Sequence, residues 1–351
     1  MIRHLHPLFT FLVLAFAIPH ASQADWWNPL DWFNDEEEEL LNLRPASLQE
    51  EAEARILFED GQTAMQAGKT RRAYGKFKKI TKDYQRTIPA PDAMLEMARI
   101  EQKRKKWNDS FRTLQRTIVR YPDYEGFQII VAEQFKIATE LMNGARGRVL
   151  GFIPTFKNSK KAREYYETVV ANAPYSDYAP LALMNIAIIS DKRDEPEYAI
   201  DSLDRLINIY PDNMLAPDAY FQLAAVFSSL VDGPAYDQGS TREAISYYED
   251  FMILFPNSPL VGDAEAGLDN MREVYARSKF NLGEFYFLYR RNTTASLAFY
   301  NEAITVAPES KTAVQAQERV DYIKNGGRPP RFSFGFDDVW KNISGSERVK
   351  N

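Results

Sequence analysis

One phrase of sequence returns along the chain: an amphipathic stretch that stops at a proline. It reads ISYYEDFMILFPNSP at 245–259, IDSLDRLINIYPDNM at 200–214 and REYYETVVANAPYSD at 163–177. Proline ends a helix because it lacks the backbone donor and its ring clashes with the preceding turn. A helix-and-stop phrase that recurs along one chain predicts a single structural unit that is used many times.

Aligned on their last residue, six copies share three positions. The aligned residues, which we call the anchor positions of the repeats, are Gln85, Pro122, Pro174, Pro211, Pro256 and Pro308. Twelve residues earlier stands a small residue: Ala73, Ser110, Ala162, Ala199, Ala244 or Ser296. Eight earlier stands a large one: Phe77, Leu114, Tyr166, Leu203, Tyr248 or Tyr300. Four earlier stand Thr81, Ile118, Val170, Ile207, Met252 and Ile304. Residues about one turn apart share a helix face, so each copy predicts a small residue beside bulky ones on a buried face.

A second amphipathic stretch separates successive copies, as at 92–104, 179–190 and 216–230. The resulting two-helix unit cannot bury its apolar face alone, whereas stacked units form a continuous core. The copies are 37, 52, 37, 45 and 52 residues apart, and the tetratricopeptide period is about 34. We therefore predict an all-α, tetratricopeptide-like superhelical solenoid of about six helical hairpins over residues 47–325.

The longer spacings contain identifiable extra segments. Residues 143–159 interrupt the third unit, and residues 231–240 widen the turn of the fifth. The sixth unit has a first helix of unusual length, from about Leu260 to Arg290. Because glycine is a poor helix former, we expect this helix to break near Asn281–Gly283.

Composition excludes several classes of function. The net charge of −6 and a pI of about 5.4 disfavour a nucleic-acid binder. The chain has no cysteine, and its three histidines all lie in the first twenty residues. The remainder therefore lacks zinc-type ligands and any Ser-His or Cys-His arrangement. We predict that the protein is not an enzyme and binds neither a cofactor nor a metal.

The first residues are typical of a secretory signal. A basic start precedes an apolar run from Leu8 to Ile18, and Ser22-Gln23-Ala24 has the small-x-small pattern of a cleavage site. We predict a signal peptide at 1–24, with an uncleaved amphipathic anchor as the alternative. A linker at 25–46, rich in aromatic and acidic residues, follows it.

Three regions contain candidate partner-binding residues. In the linker they are Trp26, Trp27, Trp32 and Phe33, which alternatively fold back onto the first repeat. In the tail at 326–351 they are Phe334, Phe336 and Trp340; this segment either adds to the sheet edge of a partner, or is disordered, or packs along the solenoid. In the solenoid they are Tyr220, Tyr286, Phe287, Arg290 and Arg291, for which core packing is the alternative.

The extended turns of the repeats resemble those of one protein family. FPNSPLVGDA at 255–264, APYSDYAPLA at 173–182 and YPDNMLAPDA at 210–219 resemble the BamD-type (YfiO-like) outer-membrane assembly factors. The resemblance covers roughly 50–322 and is strongest from Thr241 to Pro308. It implies a periplasmic, non-catalytic scaffold at the inner face of the outer membrane. Such a scaffold binds the β-barrel insertase, other assembly factors or unfolded outer-membrane precursors.

This sequence departs from that family in one respect, since it lacks the cysteine that carries the lipid anchor. We therefore expect any peripheral contact with the membrane to be made through protein partners. The alternative function is that of a soluble periplasmic tetratricopeptide adaptor in envelope maintenance or secretion.

Overall fold

The computed structural model describes residues 44–145, 148–149, 153–154, 158–234 and 238–329. The predicted signal peptide, the linker aromatic residues Trp26, Trp27, Trp32 and Phe33, and the tail residues Phe334, Phe336 and Trp340 lie outside these ranges. The predictions made for them are not tested.

Within the described ranges the chain forms thirteen α-helices and one short antiparallel strand pair. The helices are α1 (Leu48–Gln66), α2 (Thr70–Asp83), α3 (Pro89–Lys103), α4 (Trp107–Arg120), α5 (Phe127–Met142), α6 (Ser159–Asn172), α7 (Tyr178–Asp191), α8 (Pro196–Ile209), α9 (Ala216–Ser229), α10 (Gln238–Leu254), α11 (Val261–Leu288), α12 (Thr293–Val306) and α13 (Lys311–Lys324). The strands are β1 (Arg148–Val149) and β2 (Ile153–Pro154).

Neighbouring helices pack as hairpins in which the first helix is odd-numbered, as seen for α1 with α2, α3 with α4, α7 with α8, α9 with α10 and α11 with α12. First helices also contact the next first helix, as α1 does with α3, α9 with α11, and α11 with α13. This arrangement confirms the predicted tetratricopeptide-like solenoid of helical hairpins. The described residues divide within α5 into two compact units. Unit 1 comprises 44–137 with β1 and β2, and unit 2 comprises 138–145 and 158–329.

The extra segments lie where the repeat spacing predicts them. The strand pair lies between α5 and α6, the two helices of the third hairpin. Residues 230–237 lie between α9 and α10 of the fifth hairpin. Both segments therefore lengthen turns and leave the helices that pack against each other intact.

The aligned positions form the cores of the hairpins. All six small residues and all six large residues of the aligned set are buried. Four residues earlier than the anchor, only Val170 and Ile207 are fully buried, and the other four are half-buried. The small residue allows a neighbouring helix to approach closely, and the large residue fills the space beside it.

The second helix of a unit ends where the residue that follows it leaves the helical conformation. Tyr121, Ala173, Tyr210 and Ala307 have φ from −127° to −140° and ψ from 53° to 74°. The proline that follows each of them disfavours the α conformation in the preceding residue. Tyr84 adopts nearly the same conformation before Gln85, at φ −131° and ψ 44°. Packing alone is therefore sufficient to end the helix in the one copy without proline.

Two of these tyrosines connect neighbouring turns. The Tyr121 hydroxyl donates to the Gln85 carbonyl at 2.8 Å, and the Tyr210 hydroxyl donates to the Pro174 carbonyl at 2.5 Å. In both cases the acceptor occupies the anchor position of the preceding repeat. Burial raises the pKa of Tyr121 to about 12, so its hydroxyl keeps its proton at physiological pH.

We predict that Tyr121→Phe lowers the free energy of unfolding by about 1 kcal/mol, because the Gln85 carbonyl loses its hydrogen bond. Urea unfolding followed by helical circular dichroism measures the change. Tyr175→Phe is the matched control, since the Tyr175 side chain is 99% exposed and the change should have almost no effect. Equal effects of the two substitutions would contradict the proposed role of the hydrogen bond.

Helix α11 belongs to two hairpin cores. Its first half contributes Ala264, Leu268 and Met271 to the core of the fifth hairpin. Its second half contributes Ala276 and Phe287 to the core that includes α12 and α13. One helix of 28 residues therefore connects the last two hairpins of unit 2.

The predicted break of α11 at Asn281–Gly283 is wrong, because the helix continues unbroken to Leu288. Gly283 serves packing instead. A Cβ atom at Gly283 would lie 2.6 Å from the ring of Tyr300. The missing side chain provides the space into which this buried aromatic residue of α12 fits.

We predict that Gly283→Ala destabilises the protein by about 1–2 kcal/mol, because overpacking against Tyr300 outweighs the better helix propensity of alanine. Gly262→Ala in the same helix is the control, since nothing lies within 4 Å of its added Cβ atom. Thermal unfolding of the two variants compares them directly. A more stable Gly283→Ala variant would show that Tyr300 does not need this space.

Candidate protein-binding surface

An exposed group of aromatic and basic side chains lies where α11 ends and α12 begins. We call it the aromatic–arginine patch, and its members are Phe285, Tyr286, Tyr289, Arg290, Arg291 and Phe299. Phe285 is 46% exposed and Tyr289 67% exposed. Such exposure of large aromatic residues side by side is typical of a surface that binds another molecule.

The four rings of the patch contact one another in series. Phe285 stacks on Tyr289 with ring centroids 5.9 Å apart, and it meets Tyr286 edge-on at 5.6 Å. Tyr286 in turn stacks on Phe299 of α12 at 5.3 Å. The rings therefore form one continuous surface that spans both helices of the sixth hairpin.

The phase of α11 decides which aromatic residues face outward. Phe285 and Tyr289 are four residues apart and share a face. Phe287 lies about 200° around the helix from Phe285. It is 1% exposed, belongs to the core, and meets Tyr322 of α13 edge-on at 6.2 Å. The prediction that Phe287 binds a partner is therefore wrong.

The way in which α11 ends determines where Arg290 and Arg291 lie. Arg291 has φ 52°, in the left-handed region, and Asn292 N–H donates to the Tyr286 carbonyl at 3.0 Å. This turn places Arg290 and Arg291 at the exposed end of the hairpin. Among the residues that the structure describes, no carboxylate forms an ion pair with either guanidinium group. The patch therefore presents two positive charges beside its rings.

A partly buried polar network holds the three helices behind the patch. Glu284 accepts hydrogen bonds from the Tyr300 hydroxyl at 2.6 Å and from Arg319 Nε at 2.7 Å and Nη2 at 3.0 Å. Burial, together with the bond to Glu284, raises the pKa of Tyr300. Because the network joins α11, α12 and α13, the position of the patch rings does not depend on the exposed turn alone.

Tyr220, the other predicted residue of the solenoid, lies in the core of the fifth hairpin. It is half-buried, and its ring is tilted against Tyr247 at 6.3 Å and Phe255 at 5.7 Å. It is not part of the aromatic–arginine patch, and its partner-binding role stays a prediction.

Sequence reasoning missed Phe285, Tyr289 and Phe299. Two features indicate them. Phe285 and Tyr289 are four residues apart, and Gly283, which faces the Tyr300 ring, fixes which side of α11 faces the core. A correct assignment required knowing that Gly283 faces inward, because Phe287 is four residues later and therefore faces inward as well.

The described part of the chain has neither a membrane-spanning helix nor a cluster of metal ligands. No helix there combines the length and hydropathy that crossing a membrane requires. Nor does that part of the chain contain a group of three or more His, Cys, Asp or Glu side chains suited to a metal ion.

These hairpins and their extended turns define a tetratricopeptide-repeat protein. A tetratricopeptide repeat family matches residues 92–124, and the YfiO family, described as outer membrane lipoprotein, matches residues 155–296. Over these residues the chain is similar to the YfiO (BamD-type) family, which confirms the resemblance seen in the sequence. The second match contains the aromatic–arginine patch apart from Phe299.

Individual relatives show the same similarity at modest identity. The chain is 26% identical over 164 residues to outer membrane protein assembly factor BamD of Rickettsia prowazekii, covering 47% of this chain and 65% of that protein. It is 24% identical over 147 residues to BamD of Caulobacter vibrioides, covering 42% and 48%. The chain thus spans about half to two thirds of the length of these relatives.

A solved tetratricopeptide repeat protein from Parabacteroides merdae is 12% identical and covers 77% of this chain and 98% of its own. Its TM-score is 0.32. The assignment of the fold therefore rests on the hairpins of this chain itself.

We predict that Phe287→Ala costs about 3–5 kcal/mol of stability, as expected for a buried aromatic residue. Tyr289→Ala should cost about 1 kcal/mol or less, because the Tyr289 side chain is 67% exposed and is not part of the core. Urea unfolding of the two variants gives both values. The reverse order would mean that the phase of α11 has been assigned wrongly.

Proposed function

We propose that this protein is a non-catalytic scaffold of the machinery that assembles outer-membrane β-barrel proteins. The two relatives named above are outer membrane protein assembly factors, and both are BamD. The observation that carries the proposal is the aromatic–arginine patch, which lies in the region of the YfiO match. The scaffold binds the β-barrel insertase, unfolded precursors or both.

The chemistry of the patch suits protein recognition. Tyrosine and arginine are enriched among the residues that dominate binding energy at protein interfaces. The rings offer apolar area at little cost in side-chain entropy. The guanidinium groups of Arg290 and Arg291, which pair with no carboxylate in the described ranges, favour a partner segment with carboxylates. Because the rings are already stacked, little ordering is required when a partner binds.

The acidic residues with shifted pKa values have structural explanations. Burial raises the pKa of Glu101, and the hydroxyls of Tyr74 at 2.7 Å and Thr113 at 2.9 Å both donate to it. These contacts join α3 to α2 and α4, within two neighbouring hairpins. A role in packing accounts for Glu101, and this supports a scaffold without catalysis.

The remaining assignments belong to the same proposal. Residues 1–24 direct export and are removed, 25–46 form a linker, 47–325 form the solenoid and 326–351 form a tail. The protein works in the periplasm at the inner face of the outer membrane. Because this sequence contains no cysteine, we propose that protein partners hold it there. The linker residues Trp26, Trp27, Trp32 and Phe33 are candidate contacts.

A soluble periplasmic adaptor is the second candidate function. The absence of cysteine favours it, because thioether-linked lipid anchors require that residue. Such an adaptor would use the same patch for a different partner. The two functions differ in the partner and in the membrane association that follows from it.

Photo-crosslinking in the native cells tests the proposal. A photoreactive phenylalanine analogue replaces Phe285 or Tyr289, and in a control variant it replaces the exposed Lys311 at the far end of α13. We expect adducts with the insertase or with β-barrel precursors from the two patch positions only. Adducts with soluble periplasmic proteins alone would favour the adaptor, and equal labelling at Lys311 would contradict a binding role for the patch.

Charge reversal provides an independent prediction. Arg290→Glu combined with Arg291→Glu should lower the adduct yield at Phe285 at least about tenfold if two ion pairs, each worth about 1 kcal/mol, are lost. The control variant reverses two exposed lysines away from the patch, Lys192→Glu and Lys311→Glu, and has the same net charge. An identical decrease in both variants would show that net charge, and not the patch, determines binding.

A further inference from the structure

The end of the described chain lies beside the aromatic–arginine patch. Helix α13 runs parallel to the second half of α11. Near its start the Thr312 hydroxyl bonds Glu273, further along Arg319 bonds Glu284, and near its end Tyr322 meets Phe287. The C-terminal end of α13 therefore lies at the same end of the hairpin as the patch.

The chain is held as it leaves α13. Gly326 has φ 84° and donates to the Ile323 carbonyl, and Gly327 donates to the Tyr322 carbonyl at 2.9 Å. The Tyr322 hydroxyl donates to the Arg328 carbonyl at 3.2 Å. Tyr322, which packs on Phe287 within unit 2, therefore holds the point at which the tail begins.

The length of the following chain is sufficient to reach the patch. Residues 332 to 340 lie 4 to 12 residues beyond Arg328, which corresponds to about 13 to 40 Å of extended chain. A helix is only about 10–12 Å across. The segment can therefore pass around the end of α11 to its outer face, where Phe285 and Tyr289 are exposed.

The composition of that segment matches the patch. RFSFGFDDVW at 331–340 contains Phe332, Phe334 and Phe336, and then Asp337 and Asp338. In an extended chain the three phenylalanines lie on one side, at the spacing of alternate residues. Aromatic rings pack well on the rings of the patch, and the two carboxylates suit Arg290 and Arg291, which have no carboxylate partner among the described residues.

We propose that residues 332–340 dock on the aromatic–arginine patch of the same chain. The phenylalanines cover Phe285 and Tyr289, and Asp337 and Asp338 pair with Arg290 and Arg291. This docking does not rest on the proposed function.

A disulfide-trapping experiment tests the docking in the full-length protein. The natural chain has no cysteine, so a pair of introduced cysteines reports on one contact only. Asn281→Cys places a thiol one turn before Phe285 on the same face, and Phe332→Cys places the other thiol on the side of the tail that faces the patch. The control pair carries the same Phe332→Cys change, so the loss of one tail ring affects both pairs equally.

The control pair is Glu318→Cys with Phe332→Cys. Glu318 is exposed on α13 and lies about 6 Å along that helix from Tyr322, so an undocked tail can reach it as well. We expect the Asn281 pair to close at least about tenfold faster than the control pair under mild oxidation. Addition of Arg290→Glu and Arg291→Glu to the Asn281 pair should reduce its rate to that of the control.

Equal closure rates for the two pairs, or a rate that charge reversal leaves unchanged, would overturn the proposal. Helical circular dichroism shows that each variant is folded, and dilute protein ensures that the disulfide is intramolecular. No partner is present in this experiment. Its failure therefore leaves the proposed function intact, and the absence of partner adducts in cells leaves the docking intact.

Discussion

The contact between a small residue of the second helix and a closely packed neighbouring helix, with a large residue one turn later, underlies the rest of the structure. It recurs in six hairpins, where each small and each large residue is buried. Because no hairpin buries its apolar face alone, each depends on the next one for its core. The sixth hairpin shows how this requirement also creates a surface, since α11 must serve two cores and extends past the first of them.

The extension of α11 leads directly to the aromatic–arginine patch. Its second half turns Gly283 and Phe287 towards α12 and α13, and this phase leaves Phe285 and Tyr289 on the opposite face. Glu284, Tyr300 and Arg319 then fix the three helices behind them. A surface supported in this way is suited to binding, and burial of its rings by a partner would remove apolar area from water.

Much of the fold could be predicted from the sequence because it depends on local and repeated signals. The positions twelve and eight residues before each anchor identify the buried face, and the anchor identifies the end of the helix. The break expected at Asn281–Gly283 was wrong. The low helix propensity of glycine does not show that the Tyr300 ring occupies the space where a side chain of residue 283 would lie. The phase of Phe287 depends on that same contact between helices, which no local pattern shows. The boundary between the two units falls inside α5 and likewise has no signal in the repeat.

Hydrogen–deuterium exchange provides the most direct test of the central claim, that the end of α11 is a protein-binding surface held on a rigid hairpin. Exchange is measured across the whole protein with and without a purified periplasmic region of the β-barrel insertase, or an unfolded β-barrel precursor. The account predicts slower exchange in the peptides covering residues 285–299 when either partner binds, with α1 to α4 unchanged. Binding that slows exchange only outside residues 285–299 would contradict it.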